Sequence, residues 1–290
     1  MNFNLVSPET TDDLLHVIDE HHGKRFRFGA GYTDLVMELG KQDDRELTVI
    51  NLARLSDPRF TSIEEHADGG MRIGALVTAG RIVSHKALNE RYPVLGLAAG
   101  KLASRQIRHV ATVGGNLCTA SPAGDIGCAL VALGALCEAL SPAGGTRTIP
   151  IDDFFVATRE TSLKSNEVLR GVIIPPVDGK CRTYFDFVKI GTRRSMEIAT
   201  VSIAYHIEAD EDDTITRAGI AIGSAAPTIR YVRSACEYLV GRKFSAMGRS
   251  ESEAFAAKVL EYASPISDLR ASAWYRREVL FNLGKSIFGR

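Results

Sequence analysis

A long segment near the middle of the chain, from Ser104 to Asp125, has no regular pattern of apolar residues. Its apolar positions follow neither the helical period nor the alternation of a strand over the whole length. Long segments without secondary structure are uncommon inside compact domains, and those that occur are usually functional. The segment also contains Gly114 and Gly115, where the backbone can come close to a ligand. We therefore expect a binding site around this segment.

The paired glycines of this segment permit close approach to a flat or anionic ligand, and its polar residues offer hydrogen bonds. Asn116 can both donate and accept hydrogen bonds, and Asp125 can accept them from hydroxyl or ring N–H groups. The residues alone leave another interpretation open. In it, Gly114 and Gly115 form only a bend, and Asp125 is the N-cap of a helix that begins at Ile126.

A second glycine-containing segment, Gly29–Leu35, follows a predicted strand at 25–28. Its backbone N–H groups and the Thr33 hydroxyl could bind a pyrophosphate at the start of the next helix. A plain tight turn is the alternative. The segment lacks the G-x-G-x-x-G pattern and opens no series of βαβ units, which disfavours a Rossmann dinucleotide site.

Outside these two segments, the sequence predicts further helices and strands. Ser7 and Pro8 are suited to the start of a helix over 7–22. An apolar stretch covers 126–140, and a strand at 166–175 ends a first domain. Strands followed by helices indicate an α+β C-terminal domain. The other predicted strands are 47–52, 71–76, 182–190, 198–208 and 214–224, and the other predicted helices are 78–91, 93–104, 230–240, 250–262 and 272–288.

Charge and cysteine content exclude several classes of protein. Lys plus Arg and Asp plus Glu both number 35, so no basic excess favours nucleic acid or an anionic membrane surface. No apolar run reaches the roughly 18 residues of a membrane span, and the N-terminus lacks a signal-peptide pattern. The five cysteines are widely spaced, which favours reduced thiols in the cytoplasm and no iron–sulfur centre on this chain.

The two glycine-containing segments carry a specific resemblance. Gln106–Asn116 (QIRHVATVGGN) and Ala120–Asp125 (ASPAGD) closely resemble the second FAD motif of the flavin subunits of molybdenum hydroxylases of the xanthine dehydrogenase and CO dehydrogenase type. Ala30–Leu35 (AGYTDL) resembles their first motif, usually A-G-G-[TS]-D-L. The resemblance covers nearly the whole chain, including the stretches SPETTDDLL, RIGALVT, FDFVKIG and DLRASAWYRREV.

The resemblance implies a fold and a division into domains. The fold would be α+β, with an FAD-binding fold of the vanillyl-alcohol oxidase and p-cresol methylhydroxylase type. A smaller α+β C-terminal domain, with a three-stranded sheet plus helices, would follow it. The FAD-binding domain would cover residues 1–177, in two subdomains of about 1–55 and 56–177, and the C-terminal domain would cover 178–290.

The resemblance also implies FAD-binding residues. The first motif would surround the FAD pyrophosphate, and the second would line the same nucleotide. Asp125 would hold polar groups of the flavin, and Lys189 would lie near the isoalloxazine. The expected binding residues are Phe28, Gly29, Ala30, Gly31, Tyr32, Thr33, Asp34, Leu35, Leu102, Thr112, Gly114, Gly115, Asn116, Asp125, Leu169 and Lys189.

One residue departs from the family pattern, because Tyr32 stands where the first motif has its second glycine. If that position needs a left-handed backbone, tyrosine costs roughly 1–2 kcal/mol relative to glycine. Either the loop has shifted, or the ring compensates by stacking or shielding. A Tyr32→Gly variant is expected to retain FAD.

The function implied by the resemblance is electron transfer within an assembly. Electrons would pass from a molybdenum-cofactor large subunit, through the [2Fe-2S] clusters of a small subunit, to FAD on this chain and then to NAD, oxygen or a quinone. The assembly would be a dimer of heterotrimers. We expect no catalytic side chains here, because the flavin carries the redox chemistry. The alternatives are a self-contained flavin-dependent reductase or oxidase, and a scaffold subunit that has lost its flavin.

Overall fold

The N-terminal part of the protein is built on a small parallel sheet. The computed structural model describes residues 2–41, 44–143, 145–193 and 196–289. The first elements are β1 (Asn4–Val6), α1 (Thr11–Glu20), β2 (Phe26–Gly29), α2 (Leu35–Leu39), β3 (Thr48–Asn51) and α3 (Pro58–Thr61). Strand β3 lies between β1 and β2 and pairs with both in parallel. The loop from β2 to α2 therefore leaves the carboxyl end of this sheet.

An antiparallel sheet and a group of short helices follow. The elements are β4 (Ile63–Glu65), β5 (Met71–Gly74), α4 (Ala79–Ser84), α5 (Lys86–Arg91), α6 (Pro93–Lys101), α7 (Arg105–Arg108), α8 (Val113–Cys118), α9 (Asp125–Ala132), β6 (Leu136–Ser141), β7 (Gly145–Pro150), α10 (Ile151–Phe154), β8 (Phe155–Ala157), β9 (Glu160–Thr161) and β10 (Val168–Ile174). The order of the larger sheet is β4-β5-β10-β6-β7, and β8 and β9 form a separate hairpin.

The C-terminal part combines an antiparallel sheet with helices packed on one face. Its elements are β11 (Arg182–Ile190), β12 (Val201–Ala209), β13 (Ile215–Gly223), β14 (Arg230–Tyr231), α11 (Arg233–Leu239), α12 (Arg249–Leu260) and α13 (Ala273–Ser286). The strands follow one another in the sheet in chain order. The predicted α+β class is confirmed. The predicted three-stranded sheet is wrong in detail, because the short strand β14 extends it along β13.

The start of the first helix differs from the prediction. Helix α1 begins at Thr11, and Thr10 rather than Ser7 is its N-cap. The Thr10 hydroxyl accepts from the Asp13 N–H, and the Asp13 carboxylate accepts from the Thr10 N–H, which together form a capping box. Ser7 instead accepts a hydrogen bond from Asn51 Nδ2 at 3.1 Å. The closed capping box explains why the helix starts after Thr10 and not at Ser7.

One prediction for the middle of the chain is also corrected. The segment 104–125 is not without secondary structure, because it contains the short helices α7 and α8. The apolar stretch 126–140, to which no element was assigned, holds two: α9 ends at Ala132, and β6 begins at Leu136 after the left-handed Gly134. A short apolar run does not distinguish a buried helix from a buried strand by period alone.

The main apolar core connects the first two sheets with the C-terminal sheet. Phe187, Ala204 and Ala221 from β11, β12 and β13 belong to the same buried cluster as α6 and α9. At Gly219 a side chain would collide with the Ala132 carbonyl oxygen, which shows how closely β13 and α9 approach. The division between residues 177 and 178 stays a prediction. This packing brings β11 beside the N-terminal end of α9.

His206 on β12 lies in this contact region with both ring nitrogens unpaired among the described residues. Burial, with a smaller contribution from the Arg217 guanidinium, lowers the pKa of His206 from 6.5 to about 4. The Glu208 carboxylate lies 3.7 Å from Nε2, which is too far for a hydrogen bond.

Replacement of His206 by phenylalanine is expected to make stability less sensitive to acid. The folded-state pKa lies below the unfolded one, so only the unfolded chain gains a proton as the pH falls from 6.5 to about 4. The wild-type chain should lose roughly 3 kcal/mol of stability over this window through this group. Urea unfolding across the window measures the difference, with the exposed His16→Gln as control. Equal slopes for wild type and His206→Phe would contradict the assignment.

Candidate functional site

A large cavity lies where the first two sheets meet the end of β11. Its volume is about 960 Å³. The β2–α2 loop, the segment from α6 to α9, the β9–β10 connection and the end of β11 surround it. Of the predicted binding residues, those that line it are Phe28, Ala30, Gly31, Tyr32, Thr33, Asp34, Leu35, Leu102, Thr112, Gly114, Gly115, Asn116, Asp125, Leu169 and Lys189. Gly29 is the predicted residue that does not.

The β2–α2 loop offers hydrogen-bond donors to this cavity. In the described part of the chain, no amide N–H from Gly31 to Leu35 donates a hydrogen bond within the protein. The Thr33 hydroxyl also has no partner among the described residues. Successive unpaired N–H groups in a loop form a site for anionic oxygens. The loop is therefore more than a tight turn, because its donors remain available to a ligand.

Gly31 joins the two glycine-containing segments. A Cβ at this position would lie 2.0 Å from the Val110 carbonyl oxygen and 3.2 Å from the Ala111 Cα. No side chain fits there without backbone movement. The close approach of the two segments thus depends on the missing side chain of Gly31.

The glycines of the second segment serve protein packing as well as the cavity. The Thr112 hydroxyl is the N-cap of α8 and accepts from the Gly115 N–H at 3.0 Å. The Gly114 N–H donates to the Ala75 carbonyl at 2.7 Å, and a Cβ at Gly114 would lie 2.8 Å from the Ala75 side chain. The first amides of α8 are therefore engaged inside the protein. A ligand at this segment would therefore contact the side chains and the glycines themselves, and not these N–H groups.

Asn116 and Asp125 connect α8 with α9. Asn116 Oδ1 accepts from the Gly127 N–H at 3.0 Å, which fixes the side chain against α9. Gly124 is the N-cap of α9, and Asp125 is its first residue. The interpretation of Asp125 as an N-cap is therefore wrong, and its carboxylate is directed to other partners.

Asp125 forms a buried ion pair with Lys189. The Lys189 Nζ lies 2.6 Å from Asp125 Oδ2 and donates to the Lys101 carbonyl at 3.2 Å. The two side chains are only 3% and 5% exposed. Burial raises the pKa of the Asp125 carboxyl to about 6, and the Lys189 charge opposes this rise. The second oxygen, Oδ1, is buried and has no hydrogen-bond partner among the described residues. A buried carboxylate oxygen of this kind can accept from a ligand donor at low cost.

The rim of the cavity is held by a hydrogen bond and by ion pairs between distant segments. Asp34 Oδ2 accepts from the Thr119 hydroxyl at 3.1 Å and so ties the first loop to the end of α8. Glu38 binds Arg27 at 2.6 Å and Arg159 at 3.0 Å. The Arg27 hydrogen bond, with a smaller contribution from Arg159, holds the pKa of Glu38 below its usual range. Asp34 therefore connects two segments of the cavity rim.

Several cavity residues were not predicted from the sequence. Ala103 has a positive φ of 41° beside Leu102, and Arg108 Nη1 donates to the carbonyls of both. Nothing in the sequence indicates that an alanine at this position has a left-handed backbone. The other cavity residues outside the predicted set include Ile107, Ser121, Arg159, Leu163, Lys164, Glu167, Met196, Glu197 and Ile198.

Comparison with known proteins identifies the family. Residues 1–177 match the family described as the FAD binding domain in molybdopterin dehydrogenase. Residues 186–290 match the CO dehydrogenase flavoprotein C-terminal domain. The chain belongs to the molybdopterin dehydrogenase flavoprotein family. The family resemblance predicted from the two motifs is confirmed.

Individual members of this family show how far the similarity extends. The xanthine dehydrogenase FAD-binding subunit of Escherichia coli O157:H7 is 30% identical over 260 residues, which cover 89% of this chain and 86% of that protein. The nicotinate dehydrogenase FAD-subunit of Eubacterium barkeri is 27% identical over 290 residues, covering 99% and 95%. A carbon monoxide dehydrogenase from Hydrogenophaga pseudoflava shares the fold, with a TM-score of 0.89 at 24% identity over 99% of this chain and 96% of that one.

The cavity of this molybdopterin dehydrogenase flavoprotein fits an FAD molecule in its donors and acceptors. The free amides from Gly31 to Leu35 are suited to phosphate oxygens. The unpaired Oδ1 of Asp125 is suited to a hydroxyl or ring N–H. Leu102 and Leu169 add apolar surface at other parts of the wall.

None of the described helices has the length and apolar character of a membrane span.

Proposed function

We propose that this chain binds FAD in the cavity and serves as the electron-transferring flavoprotein subunit of a molybdenum hydroxylase. The single observation that carries the proposal is the position of both motif segments on one cavity, with unpaired amides at one and the unpaired Asp125 oxygen at the other. When bound, FAD supplies reversible electron transfer. The membership in the family supports the same ligand.

The residues of the chain have separate tasks in this proposal. The loop Gly31–Leu35 binds the diphosphate, and Thr33 adds a hydroxyl donor. Asn116 and Asp125 face the other polar groups of the dinucleotide. Leu102 and Leu169 exclude water from the apolar part of the flavin. Lys189 pairs with the Asp125 carboxylate in the wall and holds it in place, so that the unpaired Oδ1 of Asp125 remains available.

We further propose that the chain works in an assembly. A large subunit would hold the molybdenum cofactor and a small subunit the [2Fe-2S] clusters, in a dimer of heterotrimers. The relatives named as FAD-binding subunits of xanthine and nicotinate dehydrogenases support this organisation. The external acceptor would be a small molecule such as NAD, oxygen or a quinone, and the assembly would be cytoplasmic.

The purified chain is expected to bind FAD in an equimolar complex with the absorption of an oxidised flavin. Release of the flavin by acid and titration of the stripped chain with FAD, followed by flavin fluorescence, measures stoichiometry and affinity. The Lys180→Met variant, at an exposed site outside the cavity, is the control. A chain that stays colourless and binds no added FAD would indicate a scaffold subunit and contradict the proposal.

The place of the chain in an assembly is tested separately. A tagged chain expressed with its neighbouring genes is expected to bring down a large molybdenum subunit and a [2Fe-2S] subunit. Its flavin should then be reduced when the substrate of the large subunit is added. Reduction of the isolated chain by NADPH with turnover of a small substrate would instead indicate a self-contained reductase.

A further inference from the structure

The Tyr32 backbone has the conformation that the family motif assigns to glycine. Its φ is 59°, in the left-handed region that residues with bulky side chains rarely adopt. Tyrosine therefore occupies a backbone conformation that glycine would adopt without strain. A residue held in such a conformation requires surrounding contacts that determine it.

The Tyr32 ring supplies those contacts by lying on the backbone of Gly29. A Cβ at Gly29 would lie 2.4 Å from the ring carbon Cζ and 2.5 Å from the hydroxyl oxygen. Tyr32 also packs against a small buried cluster that includes Leu35, Leu47 and Val49. Gly29 is absent from the cavity wall, whereas Tyr32 lines it. The Gly29 backbone and this cluster together restrain the position of the phenol.

The Tyr32 hydroxyl has no hydrogen-bond partner among the described residues, although the residue lines the cavity. It lies on the same loop as the unpaired amides of Gly31–Leu35 and the unpaired Thr33 hydroxyl. Burial raises the pKa of the Tyr32 phenol above 10, so the group stays protonated and able to donate. The carboxylates nearby are engaged: Asp34 binds Thr119, and Glu38 binds two arginines.

We propose that Tyr32 is a ligand-binding residue whose phenolic O–H donates to the diphosphate of the dinucleotide. The tyrosine thereby adds a side-chain donor at a motif position that glycine leaves without one. The inference rests on the proposed function for the identity of the ligand as FAD. The proposed hydrogen bond itself, from a hydroxyl to a diphosphate oxygen, does not depend on the flavin ring.

The Tyr32→Phe variant isolates the hydroxyl, because it keeps the ring on Gly29 and removes only the donor. Its affinity for FAD is expected to fall about tenfold or more, as for the loss of one hydrogen bond to a charged group. Its affinity for inorganic diphosphate should fall similarly, and its affinity for riboflavin should stay unchanged. Tyr32→Gly is expected to retain FAD at the same reduced affinity. Calorimetric titration with the three ligands measures these differences.

The outcomes separate the role of the hydroxyl from the proposed function. Equal affinity of wild type and Tyr32→Phe for FAD and for diphosphate would overturn the inference. An equal fall for riboflavin would also overturn it, because the loop as a whole would then be responsible. A chain that binds no FAD, yet binds diphosphate more weakly in the variant, would contradict the proposed function and support the inference.

A second experiment tests whether Gly29 positions the phenol. Gly29→Ala is expected to displace the ring and reduce affinity for FAD and diphosphate as Tyr32→Phe does. In the Tyr32→Gly background no ring is present, so Gly29→Ala should have little further effect. The circular dichroism and unfolding midpoint of each variant establish that it is folded. An equal loss in both backgrounds would show that the added methyl group acts on the backbone, and would contradict positioning by Gly29.

Discussion

Replacement of Lys189 by methionine is expected to destabilise the flavin-free chain by roughly 3–5 kcal/mol. The ammonium group is the partner of the buried Asp125 carboxylate, and both side chains are almost completely inaccessible. Methionine fills a similar volume but leaves the carboxylate without a counter-charge. The large effect follows from this uncompensated charge, since an intact buried pair contributes little net stability by itself.

The stability deficit of Lys189→Met is expected to depend on pH. Burial already raises the pKa of Asp125 to about 6, and the loss of Lys189 removes the charge that opposes this rise. The folded-state pKa then lies well above the unfolded value of 3.8. The folded chain consequently holds a proton more tightly, and stability falls as the pH rises between these two values. The deficit of Lys189→Met relative to the wild-type chain should therefore shrink as the pH is lowered from neutrality to about 6, because below that pH the Asp125 carboxyl is protonated in both folded chains.

Urea unfolding of the flavin-free chain at several pH values measures both effects. Lys180→Met, at an exposed position, is the matched control and should change stability by less than about 0.5 kcal/mol. The double variant Asp125→Leu with Lys189→Met should recover most of the loss, because no buried charge remains. A double variant as unstable as Lys189→Met alone would show that packing, and not charge, causes the effect.

The two glycine-containing segments were predictable because their function is local. Residues 29–35 and 104–125 contain the glycines, hydroxyls and amides that a binding loop needs within a few positions of one another. The resemblance to the family motifs predicts that both segments bind the same ligand. The structure brings both segments to one cavity, and it shows what the sequence could not: Gly31 fits against Val110, whereas Gly114 fits against Ala75.

The frame of the site could not be predicted, because it depends on pairs far apart in the chain. Asp34 binds Thr119 across 85 positions, and Glu38 binds Arg159 across 121. Each of these residues looks like an ordinary surface residue in the sequence. Only the fold assigns the partners. The same reason explains why the sequence suggested an N-cap for Asp125, and why neither the sequence nor the resemblance predicted its pairing with Lys189.

Replacement of Gly31 by alanine is expected to weaken FAD binding by roughly 10- to 100-fold, while the chain stays folded. The new Cβ would lie 2.0 Å from the Val110 carbonyl oxygen, so the two cavity segments must separate. Both sides of this contact are backbone and cannot turn away as a flexible side chain can. Overpacking of this kind costs about 1–3 kcal/mol, and a cost of this size on the ligand-bound loop corresponds to that loss of affinity.

Flavin titration and thermal unfolding of Gly31→Ala measure the two effects separately. Gly100→Ala is the matched control, because no atom lies within 4 Å of the added Cβ and the position is in helix α6. That control should retain full FAD affinity and gain up to about 1 kcal/mol of stability from the helix preference of alanine. Normal FAD binding by Gly31→Ala would show that the loop can move away from Val110 at no cost to the ligand. The cavity would then owe its shape to the hydrogen bond of Asp34 and the ion pairs of Glu38, and the close approach at Gly31 would affect stability alone.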